Sequence, residues 1–279
     1  MRTEFEGWQK LELSLAHLTA LSLSPPQLIN TAAEVGFRSV GLRLVKVTPE
    51  SPAYPLMDDP AVLRATRSAL SDTGVTVSDI EFVMITPTLD VGSLEPLFET
   101  GALLGASNVI VAPYDPDRTR LIERFSALCA LGARYSMGVM MEFFPWAEIK
   151  SLKEASAFIR DAAQPNGGVL VDSLHFMRSG SSFEELSRIP PARLPFVHLC
   201  DAPAAPPGSR EGLLFQAREE RLPPGEGGLD LVGFLRHLPS GTSLALEVPM
   251  MAFTREAGAP AAIKRVYDAT ASLLRGNCL

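Results

Sequence analysis

The chain has 279 residues, of which 46% are hydrophobic and 20% charged, with a formal net charge of −7 at pH 7. That length suits one large α/β domain or two small ones. The acidic balance argues against a nucleic-acid partner, because phosphate selects a basic face, and no apolar run reaches the roughly 18 residues of a membrane span.

The N-terminal stretch carries Arg2, Glu4, Glu6, Lys10 and Glu12 and does not read as a signal peptide. Cys129, Cys200 and Cys278 are scattered without C-x-x-C spacing, which offers neither a disulfide framework nor a cysteine zinc site. A cytoplasmic protein is expected.

In chain order, residues 11–16 read as a first strand. Ser24 then precedes Pro25 and Pro26, a capping residue ahead of prolines that suit a helix's first turn. That helix runs to Val35, Gly36 reads as its left-handed terminator, and a strand follows over 39–44. The same grammar returns in a helix from Asp59-Pro60 to Thr73, Gly74 and a strand over 77–85. It returns again in a helix over 93–104, Gly105 and a strand over 108–112, then in a helix over 117–131, Gly132 and a strand over 137–144. A helix over 151–163 leads through Gly167-Gly168 into a strand over 169–172. A short helix near 182–188, a strand over 196–199, a helix over 229–238, a strand over 244–248 and a helix over 260–274 complete the set.

Eight strands, each followed by a helix across about 250 residues, is the count of a single-domain α/β (β/α)8 TIM barrel spanning residues 1–279. The runner-up, a doubly wound open sheet, would carry a glycine-rich phosphate turn after its first strand, and none is there. The strand-to-helix connections are the longer and more polar ones, as at a barrel's active face. The longest, 201–228, reads as a lid or wall over the mouth.

Four apolar strands end in residues able to bind a cation: Glu142, Asp172, His198 and Glu247. A lone strand-end Asp is ordinarily a helix cap or a salt-bridge partner, but here the pattern recurs on consecutive strands. Period-two alternation puts Glu142 on one face with Gly138 and Met140, Asp172 with Gly168 and Leu170, and Glu247 with Ser243 and Ala245. Those small and apolar companions fit a barrel interior, so the four residues converge at its mouth.

Three carboxylates and an imidazole at close range require a cation, since like charges raise one another's pKa. One divalent metal ion meets that need. Oxygen-rich ligation with one nitrogen favours Mn2+, Mg2+ or Co2+, and Zn2+ is admitted by ligand type. The alternative is that arginines satisfy the carboxylates, and Arg43 and Arg221 are placed for that or for holding substrate oxygens.

The endings Met-Glu142-Phe-Phe-Pro, Val-Asp172-Ser-Leu-His175, Phe-Val-His198-Leu-Cys-Asp201 and Leu-Glu247-Val-Pro resemble the xylose-isomerase-like sugar isomerase/epimerase superfamily, as does the turn Pro224-Gly-Glu-Gly-Gly-Leu-Asp230. The resemblance covers nearly the whole chain. It implies metal ligands at Glu142, Asp172, His198 and Glu247 and a substrate-contacting His175. Epimerase members place an arginine shortly after the strand-seven histidine, where this chain has Ala202-Pro-Ala-Ala-Pro-Pro, its nearest arginines being Arg210, Arg218 and Arg221. Dehydratase members acting on dehydroshikimate-like or inosose-like cyclic polyols carry longer loops there.

The implied chemistry is metal-dependent isomerisation or epimerisation of a ketose or polyol ketone through an enediolate, with Glu142 and Glu247 as general base and acid in unassigned order. Loss of a β-hydroxyl at the same site would make the chain a dehydratase, and a non-catalytic barrel subunit is the remaining rival. The partner expected is therefore a small sugar or polyol, with self-association left open. His17, just past the first strand, either lines the mouth or is a satisfied core histidine. Phe143, Phe144 and Trp146 supply an apolar wall for a sugar ring or a dimer contact, at least one of them serving the core. Glu81, in the third strand, reads ambiguously.

Overall fold

Branched apolar strands flanked by capped helices close on themselves in the computed structural model, which describes residues 13–47, 52 and 54–277. Among these residues eight parallel strands form a barrel in sequence order, with the first paired to the last. They are β1 Ser14–Leu15, β2 Ser39–Arg43, β3 Thr76–Ile85, β4 Asn108–Pro113, β5 Gly138–Glu142, β6 Gly167–Asp172, β7 Phe196–Leu199 and β8 Ser243–Leu246. Residues 11 and 12 of the expected first strand, the charged N-terminal stretch and Cys278 lie outside the described residues.

The helices are α1 Pro25–Val35, α2 Pro60–Thr73, α3 Glu95–Leu104, α4 Arg118–Arg134, α5 Leu152–Ala162, α6 Ser173–Arg178, α7 Phe183–Ser187, α8 Arg210–Arg218, α9 Leu231–Arg236, α10 Met251–Ala257 and α11 Ala259–Gly276. Their starts are capped as the sequence implies: Asp59 accepts from Ala61 N at 2.8 Å, Asp117 from Thr119 N at 3.0 Å and Ser151 from Glu154 N at 3.3 Å. Gly36, Gly74 and Gly105 end α1, α2 and α3.

Gly132 differs from expectation, because α4 runs through it to Arg134. A Cβ there would lie 3.0 Å from Met137 O and 3.2 Å from a Val139 methyl, so the glycine lets α4 approach β5 closely instead of stopping the helix. Three short helices, α6, α8 and α10, were not anticipated. Each follows a strand on the C-terminal side of the barrel, where the connections are long.

The core has two shells. Outward-facing strand residues such as Val139, Met141, Val169, Val171, Val197 and Leu199 pack under the helices. Inside the ring Ile110, Met140, Leu170, Phe196 and Ala245 form a plug, as alternation from Glu142, Asp172, His198 and Glu247 requires. Gly168 makes room for it, since a Cβ would lie 2.7 Å from both Met140 Sδ and Arg193 O.

β3 breaks the period-two rule twice. Val40 pairs with Val77 but Gly41 with Asp79, and Ile80 pairs with Val109 but Val83 with Val111. Such bulges re-aim side chains near active sites. While Val77, Ile80, Val83 and Ile85 stay in the outer shell, Phe82 packs against the interior plug. Asp79 reaches over Gly41, where a Cβ would meet its Oδ1 at 2.6 Å.

Candidate active site and divalent-cation cluster

Glu142 ends β5, Asp172 ends β6, His198 lies in β7 and Glu247 directly follows β8. One donor atom from each of the four falls within 4.8 Å of all the others. All four are buried, Asp172 completely and Glu142 and Glu247 to 4% exposure.

Asp172 has three roles at once. Its Oδ1 caps α6 by accepting from Leu174 N at 2.7 Å and His175 N at 3.2 Å, and its Oδ2 lies 2.5 Å from Arg221 Nη1. The helix cap and the salt bridge expected of a lone strand-end Asp are both present, and the residue still joins the cluster. The α6 turn carries His175 to the rim, with Nε2 3.9 Å from Glu142 Oε1. Its ring meets Phe144 at 4.7 Å and Trp146 at 5.1 Å between centroids. Phe82 and Tyr114 extend this wall through Phe144 at 6.0 and 6.4 Å, and Trp146 Nε1 donates to the Tyr114 hydroxyl at 3.4 Å. Phe143 belongs to the core.

Arg221 is the internal cation. Nη2 lies 2.8 Å from Glu247 Oε2, Nη1 also donates to Glu247 O at 3.1 Å, and Nε donates to Ala217 O at 2.8 Å. It arrives from the 201–228 connection, which is pinned along its length. Asp201 accepts from Ala202 N at 2.8 Å and from the N–H groups of Gly225, Gly227 and Leu229 at 3.0 Å each. Arg178 donates to Pro203 O at 2.6 Å and Ala204 O at 3.1 Å. Of the two uses expected for this connection, these contacts build the wall.

Charge is distributed unevenly across the cluster. Burial, reinforced by the charges of Glu247 and Asp172, pushes the Glu142 carboxyl well above its usual range. Burial opposes a charged His198, but Glu247, Glu142 and Asp172 outweigh it and hold the imidazole up at about 10. Burial also opposes an ionised Glu247, but His198 and Arg221 outweigh it and push that carboxyl well below the ordinary range. Burial is the largest influence that takes the His175 imidazole down to about 4 and the Cys200 thiol up to about 12, which keeps both neutral.

The residues present fit a divalent cation on two counts. Neither ring nitrogen of buried His198 finds a hydrogen-bond partner, Nδ1 resting 3.4 Å from Glu247 Oε2 outside hydrogen-bond geometry. Such orphaned polar atoms cost about 1–3 kcal/mol each unless something else engages them. In addition, once an ion displaces the protons of Glu142 and His198, three carboxylates against one guanidinium leave two negative charges, the number a divalent ion cancels.

Besides Arg221, two more of the expected substrate contacts are otherwise engaged. His17 is fully buried, with Nδ1 accepting from Arg43 N at 3.0 Å and Nε2 bonded to Leu23 O at 2.9 Å, and it stacks on Tyr54 at 5.2 Å. With both nitrogens spent on the main chain it is a core histidine that ties β1 to β2, and the mouth-lining alternative falls. Arg43 lies inside the mouth, but its Nη2 is 3.0 Å from Glu81 Oε2. Asp79 and Phe82 were not anticipated at the site, and Glu81, ambiguous in the sequence, joins it through Arg43. The available signal was a pair of acids alternating with Ile80 inside an otherwise apolar strand.

A closed parallel barrel with an acid-histidine cluster at the C-terminal ends of β5 to β8 defines the class: a (β/α)8 TIM barrel whose mouth carries a buried group of side chains able to hold a cation. The particular lineage follows from sequence. The family model described as xylose isomerase-like TIM barrel matches residues 29–269, and the chain belongs to that family. The inosose isomerase of Bacillus licheniformis is 26% identical over 152 residues, 51% of this chain and 52% of that protein. The 3-dehydroshikimate dehydratase of Pseudomonas aeruginosa is 30% identical over 95 residues, 34% of this chain and 14% of that protein. The chain therefore spans about half the length of the inosose isomerase it matches, and less of the dehydratase. Among solved structures, the IOLI protein with a bound zinc atom superposes with a TM-score of 0.78 at 18% identity, covering 95% of this chain and 99% of that one. The relatives are enzymes, an isomerase and a dehydratase. Among the described residues no helix is long and apolar enough to cross a membrane.

Proposed function

We propose that this chain is a divalent-metal-dependent isomerase or epimerase of a ketose or cyclic polyol ketone. The observation that carries the reading is the convergence of Glu142, Asp172, Glu247 and the unpartnered His198 within 4.8 Å at the mouth of the barrel. Those four residues would hold the ion. When bound, it supplies Lewis-acid polarisation of a substrate carbonyl and the neighbouring hydroxyl.

The remaining work falls to side chains of the chain itself. Glu142 and Glu247 would form the proton-transfer pair: one, as the carboxylate, takes the proton from the carbon next to the carbonyl, and the other, as the protonated acid, delivers its own proton to the opposite face or the adjacent carbon. Their environments push the two carboxyls in opposite directions, the condition under which neighbouring acids divide donor and acceptor roles. His175, neutral and next to Glu142, offers a hydrogen bond to a substrate hydroxyl. Phe144 and Trp146 give an apolar face for ring carbons and exclude water.

A dehydratase is the second reading, favoured by the match to the Pseudomonas aeruginosa enzyme. The same proton abstraction serves it, with a β-hydroxyl leaving in place of reprotonation. The test is incubation of metal-loaded protein in D2O with inosose or with ketoses. Deuterium incorporation next to the carbonyl with isomer formation supports the proposal, and loss of water supports the second reading. No exchange with any of them contradicts both.

A further inference from the structure

Arg43 and Glu81 are register partners on β2 and β3. Alternation places Arg43 on the face of Gly41, and Glu81 on the face of Asp79, both inside the barrel. Their ion pair is nearly dry, with side-chain exposures of 9% and 2%. It is also half used, because Arg43 Nε and Glu81 Oε1 have no hydrogen-bond partner. Arg43 is the last residue of β2, as Glu142 and Asp172 are of β5 and β6, so it stands at the barrel end that carries the cation cluster.

Both guanidiniums that reach the cluster are thus already matched, Arg221 by Asp172 and Glu247 and Arg43 by Glu81. With a divalent ion in place, the three carboxylates of the cluster are balanced as well. A substrate carboxylate entering this mouth would add a buried negative charge that neither of these paired guanidiniums is left to meet, which is costly. An uncharged polyol adds none, and its hydroxyls both donate and accept, as a half-used ion pair requires. If Glu81 were neutral, Arg43 would become a free guanidinium facing the substrate, suited to bidentate capture of a carboxylate.

We infer that Glu81 is a specificity-determining residue: by occupying Arg43 it makes the site select uncharged keto-polyols and reject substrates that carry a carboxylate. The inference rests on the metal-site reading above and deepens it by naming the charge class of the substrate. Neutralising a potential anion hook is a device against the wrong ligand, as much a part of specificity as contacts to the right one.

The experiment compares equilibrium binding of inosose, an uncharged cyclic ketone, and 3-dehydroshikimate, which carries a carboxylate, by calorimetry on metal-loaded protein. Wild type, Glu81→Gln and the charge-keeping Glu81→Asp are titrated side by side. The expected result is a preference of about tenfold or more for inosose in wild type and Glu81→Asp, the scale of one unmatched charge. In Glu81→Gln that preference narrows or inverts through a gain in 3-dehydroshikimate affinity that weakens with added salt. Equal binding of the two by wild type, or equal losses for both in Glu81→Gln, overturns the inference. If wild type binds neither but Glu81→Gln acquires 3-dehydroshikimate, the role of Glu81 stands and the polyol reading falls. If no variant binds either compound, both fall. Should Glu81→Gln fail to fold, the wild-type and Glu81→Asp ratios still decide whether the paired arginine excludes the anion.

Discussion

Replacing Arg221 by methionine keeps most of the side-chain volume and removes the charge that holds two of the three cluster carboxylates. Arg221 is 2% exposed and reaches Asp172 at 2.5 Å and Glu247 at 2.8 Å, so solvent screens little of the loss. Breaking a buried pair from one side costs about 3–5 kcal/mol, because the partner stays behind uncompensated. At about 2–4 °C per kcal/mol for a chain of this size, Arg221→Met should melt about 6–20 °C below wild type in the presence of a chelator. A divalent ion at about 100 times its Kd stabilises a native state by about 2.7 kcal/mol. The variant should gain more than wild type from the same ion, since the stranded carboxylates have lost their competing cation. Differential scanning calorimetry with chelator and with Mn2+, Co2+ or Zn2+ measures both quantities. A chelated variant that melts with wild type, or an ion that stabilises both equally, would refute the placement of Arg221 as the internal counter-charge.

In the metal-free protein the His198 imidazole is raised from its ordinary 6.5 to about 10, so the stability it contributes is complete below about 6.5 and is lost as pH rises through about 10. The melting temperature of chelated protein should therefore fall across that window, and a bound ion that takes up the nitrogen should flatten the profile; a flat chelated profile would contradict the assignment. His175→Gln removes a rim group outside the four-donor cluster, so metal content should persist while inosose affinity drops by about tenfold, the worth of one hydrogen bond. Loss of metal in that variant would move His175 into the ligand set. Gly168→Ala drives a methyl to within 2.7 Å of Met140 Sδ and Arg193 O, and overpacking of this kind costs about 1–3 kcal/mol. Its melting temperature should fall by about 2–12 °C, and an unchanged value would mean the interior plug has slack.

The sequence was most legible where chemistry is local. Asp59, Asp117 and Ser151 announce helix starts through their own side chains, and alternation from Glu142, Asp172, His198 and Glu247 correctly names the residues beneath them in the plug. It was least legible where one residue is inserted or a contact is distant. The register shifts of β3 turn Phe82 inward, and an insertion of one residue leaves no trace in composition. Arg221 stands in the sequence with Arg43 as a counter-charge for the carboxylates, but it lies 49 positions from Asp172 and nothing in the intervening chain marks which acid it meets. Gly132 reads as a helix stop because glycine serves both turns and close packing, and only the distance to Met137 separates the uses. His17 had two readings of equal merit until its nitrogens were seen to face Arg43 N and Leu23 O.

The measurement that tests the account most directly is the metal content of purified protein after reconstitution, determined by elemental analysis beside Glu142→Gln and His198→Gln. The account predicts roughly one divalent ion per chain in wild type, a clear loss in both variants, and a rise in melting temperature on adding the ion to wild type alone. Wild-type protein that retains no ion and gains no stability would contradict it. The four residues would then be a structural cluster, neutralised by Arg221 and by protons on Glu142 and His198.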